Sequence, residues 1–345
     1  MASSHVVDHL AELTGFRDRD VLDVTLVGAL KDLLQPYAAA IYRSVGEPGQ
    51  QHWLTRARFA PGDRVATADS VWADIETLPT LESEPERLAC LLRQEAISVP
   101  GNPARAYFPL VTDGEPSGVI ELQSAAELSA DDLRLVASIL RVYRNFQALL
   151  DYSERDTLTG LLNRKTFDES FLRIAVHAAP PPLALPAAVV GRHGPAGSSW
   201  LGVIDIDHFK SVNDNYGHLI GDEVLLLLAR LMRGSFRFHD HLYRFGGEEF
   251  VVLMRCASAD DAASALERLR TTVREYVFPQ VGQITISIGF TELRAGDSPS
   301  AAFERADKAV YYAKQHGRDQ VRDHTALVAQ GQLAEESRDS DVELF

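Results

Sequence analysis

Cysteine is the scarcest chemically useful residue in this chain. Only two of the 345 residues are cysteines, Cys90 and Cys256, and they lie far apart. A disulfide framework or a cysteine-based metal site needs more cysteines at closer spacing. The sequence therefore excludes the small disulfide-stabilised proteins, and we expect Cys90 to be a buried apolar residue and not an attachment point for a chromophore.

The chain also lacks a long apolar run and an excess of basic residues. Its most apolar stretch, residues 224–228, is far shorter than the roughly 20 residues of a membrane-spanning helix. His5, Asp8 and His9 stand where a secretory signal would have basic and then apolar residues. The net charge of −15 argues against nucleic-acid binding, because phosphate backbones attract a basic surface. We therefore expect a cytoplasmic protein with no membrane or nucleic-acid partner.

Residues 1–127 have the pattern of one α/β domain. The chain is 46% hydrophobic and 24% charged, and it is long enough for two domains with separate cores. The predicted helices are Asp20 to Gln35 and Glu84 to Gln94, and the predicted strands are 38–45, 53–59, 104–111 and 118–122. This order resembles GAF-type sensory domains, with PAS domains as the weaker match, and it implies an antiparallel sheet.

Residues 128–155 are predicted to form a helical linker. Ser129 can cap the helix, and Asp131 and Asp132 suit the positive end of the helix dipole. Apolar residues then recur at alternating intervals of four and three, at Leu135, Ile139, Val142, Phe146 and Leu149. This heptad pattern favours a parallel coiled coil that joins two copies of the chain. The alternative is a helix that packs on its own domain.

Residues 243–253 have the pattern of a tight β-hairpin. Aromatic and β-branched runs flank Gly246 and Gly247, which tolerate the positive φ angles of a turn. Glu248 and Glu249 follow directly. A Glu-Glu pair by itself is usually an exposed surface turn. If the pair is buried, it requires a cation such as a metal ion.

A predicted strand at Trp200 to Ile206 ends in a second set of carboxylates. Asp205 lies at its end, and adjacent strands could bring Asp205 within a metal's reach of Glu248. Carboxylate oxygens suit Mg²⁺, with Mn²⁺ as the alternative. The site would then be built between the strand end and the hairpin.

Other polar residues complete the pattern of a nucleotide site. Lys210, Lys314 and Arg318 could neutralise a triphosphate, although the last two alone would be read as a solvated helix end. Asn213 and Asp222 could read a guanine base, because a carboxylate can accept hydrogen bonds from the two N–H donors on the edge of guanine. Asp222 alone would be an acidic residue at a helix start. The pattern predicts phosphoryl chemistry.

Residues 156–322 follow the order β-α-β-β-α-β, which is typical of the palm or ferredoxin-like plan of nucleotidyl cyclases and polymerases. The predicted fold class is α+β, with a central, mainly antiparallel sheet. Beside the strand at 200–206 and the hairpin, the predicted elements are helices at 165–176, 223–233, 259–276 and 299–316, a turn at 217–222 and a strand at 283–290. Residues 178–199, rich in Pro, Ala and Gly, are predicted to be a loop insertion, and the acidic residues 323–345 a disordered tail.

Several linked motifs resemble those of the GGDEF family of diguanylate cyclases. In chain order they are Asp156 to Arg164, Asp205 to Lys210, Asn213, Gly217-His218, Gly221-Asp222, Arg237 with Asp240, Gly246 to Phe250, Ile286 to Gly289, and Ala313-Lys314 with Gly317-Arg318. Their shared order and separation are far more specific than a lone Gly-Gly-Glu-Glu-Phe. The resemblance covers about residues 150 to 322, and the insertion at 178–199 is its main departure.

The resemblance implies a dimeric enzyme that condenses two GTP molecules into cyclic di-GMP and pyrophosphate with Mg²⁺. Asp205, Glu248 and Glu249 are then the catalytic candidates, and they would bind the metal together with the carbonyl of Ile206. Glu248 would also help to deprotonate the attacking 3′-hydroxyl. The implied GTP-binding residues are His208, Phe209, Lys210, Asn213, Asp222, Gly246, Gly247, Lys314 and Arg318.

Arg237 and Asp240 match the inhibitory product site of the same family. Arginine reads the O6 and N7 acceptors of guanine, so an Arg-x-x-Asp just before the hairpin is expected to hold cyclic di-GMP. An isolated Arg-x-x-Asp would be read as a surface ion pair. We expect a cyclase regulated by its N-terminal domain. The alternative is a non-catalytic receptor for cyclic di-GMP or GTP, which loss of the hairpin carboxylates would have favoured.

Overall fold

The computed structural model describes residues 2–15, 19–46, 49–63, 66–69, 75–112, 115–178 and 197–334. They form two compact units, and the chain passes from the first to the second between Ser153 and Glu154. Among these residues no helix has both the length and the apolar character needed to cross a membrane. All but the ends of the predicted insertion at 178–199 lie outside the described residues.

The first unit is built on a five-stranded antiparallel sheet in the order β2-β1-β5-β4-β3. The strands are β1 Ala38–Val45, β2 His52–Phe59, β3 Ile97–Val99, β4 Ala104–Thr112 and β5 Glu115–Ser124. Helices α1 (Ala2–Gly15) and α2 (Arg19–Leu34) share a core with one face, and α3 (Pro85–Arg93) shares a second cluster with Trp53 and Tyr107. The antiparallel α/β plan agrees with the sequence, whereas α1 and β3 were not predicted. The GAF-like assignment stays a prediction.

Helix α4 (Ala130–Glu154) buries a stripe that is displaced by one residue from most of the predicted heptad and shares Ile139 with it. The predicted cap is present, since Ser129 Oγ accepts from the N–H of Asp132 at 3.2 Å. The helix contributes Val136, Ile139, Leu140, Tyr143 and Leu150 to the core of the first unit. Leu149, the last residue of the predicted seam, is 65% exposed. Packing on its own unit therefore explains the buried face, and the coiled coil stays a prediction.

The second unit has a six-stranded sheet with the predicted β-α-β-β-α-β order at its centre. The spatial order is β13-β12-β7-β9-β8-β6, in which the four central strands are antiparallel and the two outer strands run parallel to their neighbours. The strands are β6 Leu162–Asn163, β7 Ser198–Ile206, β8 His241–Gly246, β9 Glu249–Cys256, β12 Ile286–Glu292 and β13 Val321–Asp323, with a small pair β10 Val277–Phe278 and β11 Gly282–Gln283. The predicted α+β plan of this half is confirmed.

Helices cover both faces of this sheet. They are α5 Arg164–Ala178, α6 Phe209–Tyr216, α7 His218–Ser235, α8 Ala259–Glu275, α9 Pro299–Gln315 and α10 His324–Ala329. Side chains of α6, α7 and α8 belong to one core cluster, and side chains of α5 and α9 belong to another. Helix α6 begins three residues after the end of β7, and the last turn of α9 reaches the same end of β7, where Lys314 contacts Asp205.

Two sequence predictions in this unit were wrong. The predicted turn at 217–222 reduces to Gly217, whose φ is 83°, and α7 begins at the next residue. The predicted disordered tail begins with order, because Asp323 Oδ1 accepts from Thr325 N–H at 2.9 Å and starts α10, in which Leu327 is buried. Residues 335–345 of that tail lie outside the described residues. The acidic composition of 323–345 predicted disorder, although its first residues form a short capped helix.

Gly289 allows α9 to lie close to the sheet. A Cβ at this position of β12 would overlap the carbonyl oxygen of Ala306 and the amide nitrogen of Val310, and would lie 2.9 Å from the carbonyl carbon of Ala309. These are backbone atoms within a helix, so they cannot rotate away as a side chain could. Because Lys314 is in the last turn of α9, the same approach sets how near Lys314 comes to β7.

We expect Gly289→Ala to lower the free energy of unfolding by about 1 to 3 kcal/mol, because the added methyl forces α9 away from the sheet. Chemical denaturation of the full chain measures this change. Gly234→Ala is the matched control, since Gly234 lies in α7 with open space around its Cβ position. That variant should be unchanged or more stable by up to about 1 kcal/mol. Equal destabilisation of both variants would contradict the close-approach explanation.

Candidate active site

Strand pairing brings the predicted carboxylates of β7 and the hairpin together. Asp205 is paired opposite Glu249 across the antiparallel strands β7 and β9. The hairpin closes with Gly246 opposite Glu249, which leaves Gly247 and Glu248 in the turn. Gly246 and Gly247 have φ angles of 135° and 53°, in the region that favours glycine. The Gly-Gly pair is thus what allows Glu248 to project from so tight a turn.

Asp205 is buried beside one lysine and two glutamates. Lys314 Nζ lies 2.7 Å from Asp205 Oδ1, and the Asp205 side chain is 10% exposed. Burial raises the pKa of Asp205 to about 6, Lys314 opposes this rise, and Glu248 and Glu249 add to it. Burial also raises the pKa of Glu248, again opposed by Lys314. The site therefore holds more carboxylate charge than its one lysine balances.

This donor set fits a hard divalent cation. Carboxylate and carbonyl oxygens are what Mg²⁺ and Mn²⁺ take, and Mg²⁺ usually keeps several waters and binds few protein groups. In the described part of the chain no three His, Cys, Asp or Glu residues form a ready-made metal cluster. A site of one or two carboxylates with the carbonyl of Ile206 needs no such cluster. The raised pKa values of Asp205 and Glu248 indicate that added positive charge would be stabilised there.

Asn213 and Asp222 lie on two helices that meet at Gly221. A Cβ at Gly221 would overlap Asn213 Oδ1 and would lie 3.4 Å from the ring of Phe209, so glycine allows the Asn213 amide to pack against α7. Asp222 is the next residue of α7 and is exposed. His208 precedes α6 with a φ of 59° and is exposed. The structure thus brings the two predicted base-reading residues to one helix junction.

The three predicted phosphate-binding cations lie on different elements. Lys210 is exposed in the first turn of α6, and Lys314 contacts Asp205 from the last turn of α9. Arg318 is exposed in the turn after α9, where its N–H donates to Ala313 O at 2.9 Å. Lys314 is thus joined to the carboxylates directly, whereas Arg318 is held through its backbone.

Arg237 and Asp240 form a turn before β8. The N–H of Arg237 donates to Asp240 Oδ2 at 2.9 Å, and the N–H of Asp240 donates to Arg237 O at 3.0 Å. The Asp240 side chain is 6% exposed, and burial raises its pKa to about 6 against the effect of these hydrogen bonds. Arg237 is exposed. Asp240 therefore orders the turn, and Arg237 is the group of the pair that a ligand can reach.

Sequence reasoning assigned no role to Arg244 or Asp156, which link the loop after α4 to the hairpin. Arg244 Nη1 donates to Asp156 Oδ1 at 2.9 Å, and its Nε and Nη2 donate to Gly247 O at 3.2 and 2.9 Å. Although burial acts to raise it, hydrogen bonds from Thr159 and Arg244 hold the pKa of Asp156 below its usual value. The sequence does show an arginine close to the Gly-Gly turn, which could have indicated a role in holding it. It does not show that the partner of this arginine lies 88 residues away.

Comparison with known proteins agrees with this geometry. Residues 193–320 match the family model described as "Diguanylate cyclase, GGDEF domain". Diguanylate cyclase DgcP of Pseudomonas aeruginosa is 41% identical over 169 residues, which are 48% of this chain and 23% of the relative. Diguanylate cyclase DgcM of Escherichia coli K12 is 34% identical over 213 residues, 61% of this chain and 48% of the relative.

A solved structure is also similar to part of this chain. It is the GGDEF domain of DgcB from Caulobacter crescentus in complex with c-di-GMP, which is 32% identical, covers 50% of this chain and 96% of that chain, and has a TM-score of 0.44. The chain spans less than half the length of the two curated relatives. The matched residues 193–320 are thus similar to a GGDEF domain, and the two relatives that share this similarity are diguanylate cyclases.

We expect Asp205→Asn to stabilise the metal-free protein at about pH 8. A carboxyl whose pKa rises on folding contributes stability that is complete below its unfolded pKa and is lost as the pH rises through the folded value, here about 6. A rise of about two units corresponds to roughly 3 kcal/mol, so the variant should resist urea better at about pH 8 and show little difference at about pH 4.

The control for this experiment is Asp297→Asn, measured by urea unfolding with a chelator at both pH values. Burial acts to raise the pKa of Asp297, but Arg305 holds it below the usual value. Its stabilising effect is therefore present above the unfolded pKa, and the substitution should destabilise the protein at about pH 8. Lower stability of Asp205→Asn at about pH 8 would contradict the electrostatic account of the site.

Proposed function

We propose that this protein is a diguanylate cyclase that condenses two GTP molecules into cyclic di-GMP and releases pyrophosphate. The observation that carries the proposal is the convergence of Asp205, Glu248 and Glu249 with Lys314 at the end of β7. This convergence lies within the region that matches the GGDEF domain model. Excess carboxylate charge beside a lysine fits the binding of a metal and a triphosphate.

The carboxylates of Asp205 and Glu248 and the carbonyl of Ile206 would hold Mg²⁺ or Mn²⁺, and Glu249, paired opposite Asp205, would join them as a further ligand once the ion is bound. The bound ion supplies positive charge that binds the triphosphate and offsets charge on the transferring phosphoryl group. Lys314 would divide its charge between Asp205 and the phosphates, and Lys210 and Arg318 would bind the phosphates from either side of the carboxylates. Gly246 and Gly247 would let the triphosphate approach the hairpin backbone.

The base would be read at the junction of α6 and α7. Asp222 would accept from N1–H and the 2-amino group of guanine, and Asn213, packed on Gly221, would bond the same edge. His208 and Phe209 begin α6, whose N-terminal N–H groups suit a phosphate. Glu248, whose pKa burial raises, would take the proton of the 3′-hydroxyl. That oxygen bonds to the α-phosphorus as the bond from phosphorus to pyrophosphate breaks.

The reaction needs two chains, because each GTP is both nucleophile and target. We propose a homodimer formed through α4 and the first unit, with the exposed Leu149 and Tyr152 of α4 on the shared surface. The first unit would be a GAF-like sensory domain, and it would set the rate by fixing how the two catalytic units meet.

We expect Glu248→Gln to abolish turnover, with a loss of at least about a hundredfold, because the amide can neither take a proton nor carry the charge that binds the metal. The measurement is cyclic di-GMP formed from GTP with Mg²⁺ by the purified full chain. Glu275→Gln, which removes an equal charge from the exposed end of α8, should leave turnover unchanged. Full turnover by Glu248→Gln would refute the metal assignment. A wild-type chain that binds GTP or cyclic di-GMP but makes no product would favour the non-catalytic receptor.

We propose that Arg237 and Asp240 hold cyclic di-GMP as a feedback inhibitor, with the exposed Arg237 as the group that reads guanine. Arg237→Ala should raise the concentration of cyclic di-GMP that halves the initial rate by about tenfold or more. It should leave kcat unchanged, because Arg237 precedes the start of β8, whereas the hairpin carboxylates follow the other end of that strand. Initial rates with added product test this. Unaltered inhibition in the variant would rule out the site.

A further inference from the structure

Asp207, the second aspartate of the Asp-Ile-Asp sequence, is bonded to the protein on both oxygens. Oδ1 accepts from Ser287 Oγ at 2.7 Å, and Oδ2 accepts from Thr285 Oγ1 at 2.7 Å and from the N–H of Asp319 at 3.0 Å. Asp207 is 5% exposed. These bonds occupy three of the roughly four acceptor positions of a carboxylate. Both oxygens of Asp207 are therefore taken up by hydrogen bonds within the protein, whereas Asp205 is in contact with Lys314 through Oδ1.

The donors to Asp207 come from two separate segments. Thr285 and Ser287 are at the start of β12, whereas Asp319 is in the turn after α9. In that turn Arg318 and Asp319 have φ angles of 61° and 46°, a region that residues other than glycine rarely occupy. A turn of this kind persists only where surrounding bonds fix it.

The same turn is held from its other side by α8. Asp319 Oδ1 accepts from Arg270 Nη1 at 2.6 Å, and Arg274 Nη1 lies 3.3 Å from Asp319 Oδ2. Asp319 thus receives bonds on its side chain from α8 and gives its backbone N–H to Asp207. Arg318, the preceding residue, takes its position from this arrangement.

We propose that Asp207 is a positioning residue for the triphosphate. It holds the turn at 317–319 so that Arg318 keeps a fixed place relative to Lys314 and Asp205, and it contacts neither substrate nor metal. Asp205 and Asp207 then have separate tasks two residues apart: the first meets Lys314 directly, and the second fixes Arg318 through the backbone of Asp319. This inference rests on the proposed function, since it takes Lys314 and Arg318 as phosphate-binding groups.

The first test compares Asp207→Asn with Asp207→Ala in the full chain. The asparagine oxygen can accept from Thr285 and Asp319 while its nitrogen donates to Ser287 Oγ, so all three bonds can persist. We expect Asn to retain turnover within about threefold, and Ala to raise KM for GTP by about tenfold with a smaller change in kcat. A loss of a hundredfold or more with Asn would show that Asp207 acts through its charge and would overturn the proposal.

The second test measures binding without catalysis. Calorimetry with Mg²⁺ and either α,β-methylene-GTP or GMP separates the phosphates from the base. Asp207→Ala should bind the triphosphate analogue about tenfold more weakly and GMP as the wild type does, because GMP lacks the β- and γ-phosphates. Equal weakening for both ligands would assign the effect to general damage and overturn the proposal. If the wild type binds as expected but makes no cyclic di-GMP, the proposed function fails and the positioning role stands.

Two further variants keep the test decisive if Asp207→Ala does not fold. Asp319→Ala frees the same turn from α8 and should reproduce the selective loss for the triphosphate analogue. Asp297→Ala removes a carboxylate whose side chain is 6% exposed and which lies 2.6 Å from Arg305, near the opposite end of α9. It should lower stability without changing the ratio of the two affinities. A selective loss in Asp297→Ala, or none in Asp319→Ala, would overturn the proposal.

Discussion

The arrangement of the second unit brings together like charges that its own residues do not fully neutralise. Asp205 is buried opposite Glu249 and near Glu248, and Lys314 is the cation in contact with it. Burying carboxylates together costs stability unless positive charge is supplied. The fold pays this cost through sheet register and helix packing that are fixed elsewhere. Arg244 holds the hairpin turn at Gly247 O, and Gly289 lets α9 approach closely enough for Lys314 to reach Asp205.

Several small residues and short links serve this one arrangement. Gly221 admits the Asn213 amide, just as Gly289 admits the backbone of α9, so the groups proposed to read the base and to bind phosphate are both placed by a missing Cβ. Asp207 adds a third constraint, since it joins the end of β7 to the turn that carries Arg318. The site thus depends on backbone positions that would tolerate few substitutions. The side chains proposed to bind the ligand are charged or exposed.

Much of this could be predicted from the sequence, because strand and hairpin patterns are local. The strands at 38–45 and 200–206 follow from short runs rich in apolar residues, and the Gly-Gly turn follows from the tolerance of glycine for positive φ angles. The parts that could not be predicted depend on distant partners. The sequence predicted a turn at 217–222, where glycine is typical of turns. In the structure Gly221 lies within α7, and the Asn213 amide fills the space that a Cβ at Gly221 would take. Asp207 and Arg244 were unassigned because their partners lie 112 and 88 residues away.

Helix α4 shows how one sequence pattern can serve two surfaces. The predicted seam and the stripe that is buried in the first unit are both heptads and lie one residue apart. The buried stripe includes two polar residues, Tyr143 and Gln147. In the structure Tyr143 Oη donates to Asp23, and Gln147 Nε2 donates to Tyr143 Oη at 2.8 Å, so the Tyr143 hydroxyl and the Gln147 amide nitrogen are paired inside the core. Because this stripe already anchors α4, Leu149 stays exposed and remains free to meet a second copy of the helix. Regulation through α4 would then require only that the core of the first unit shift or rotate this anchored stripe.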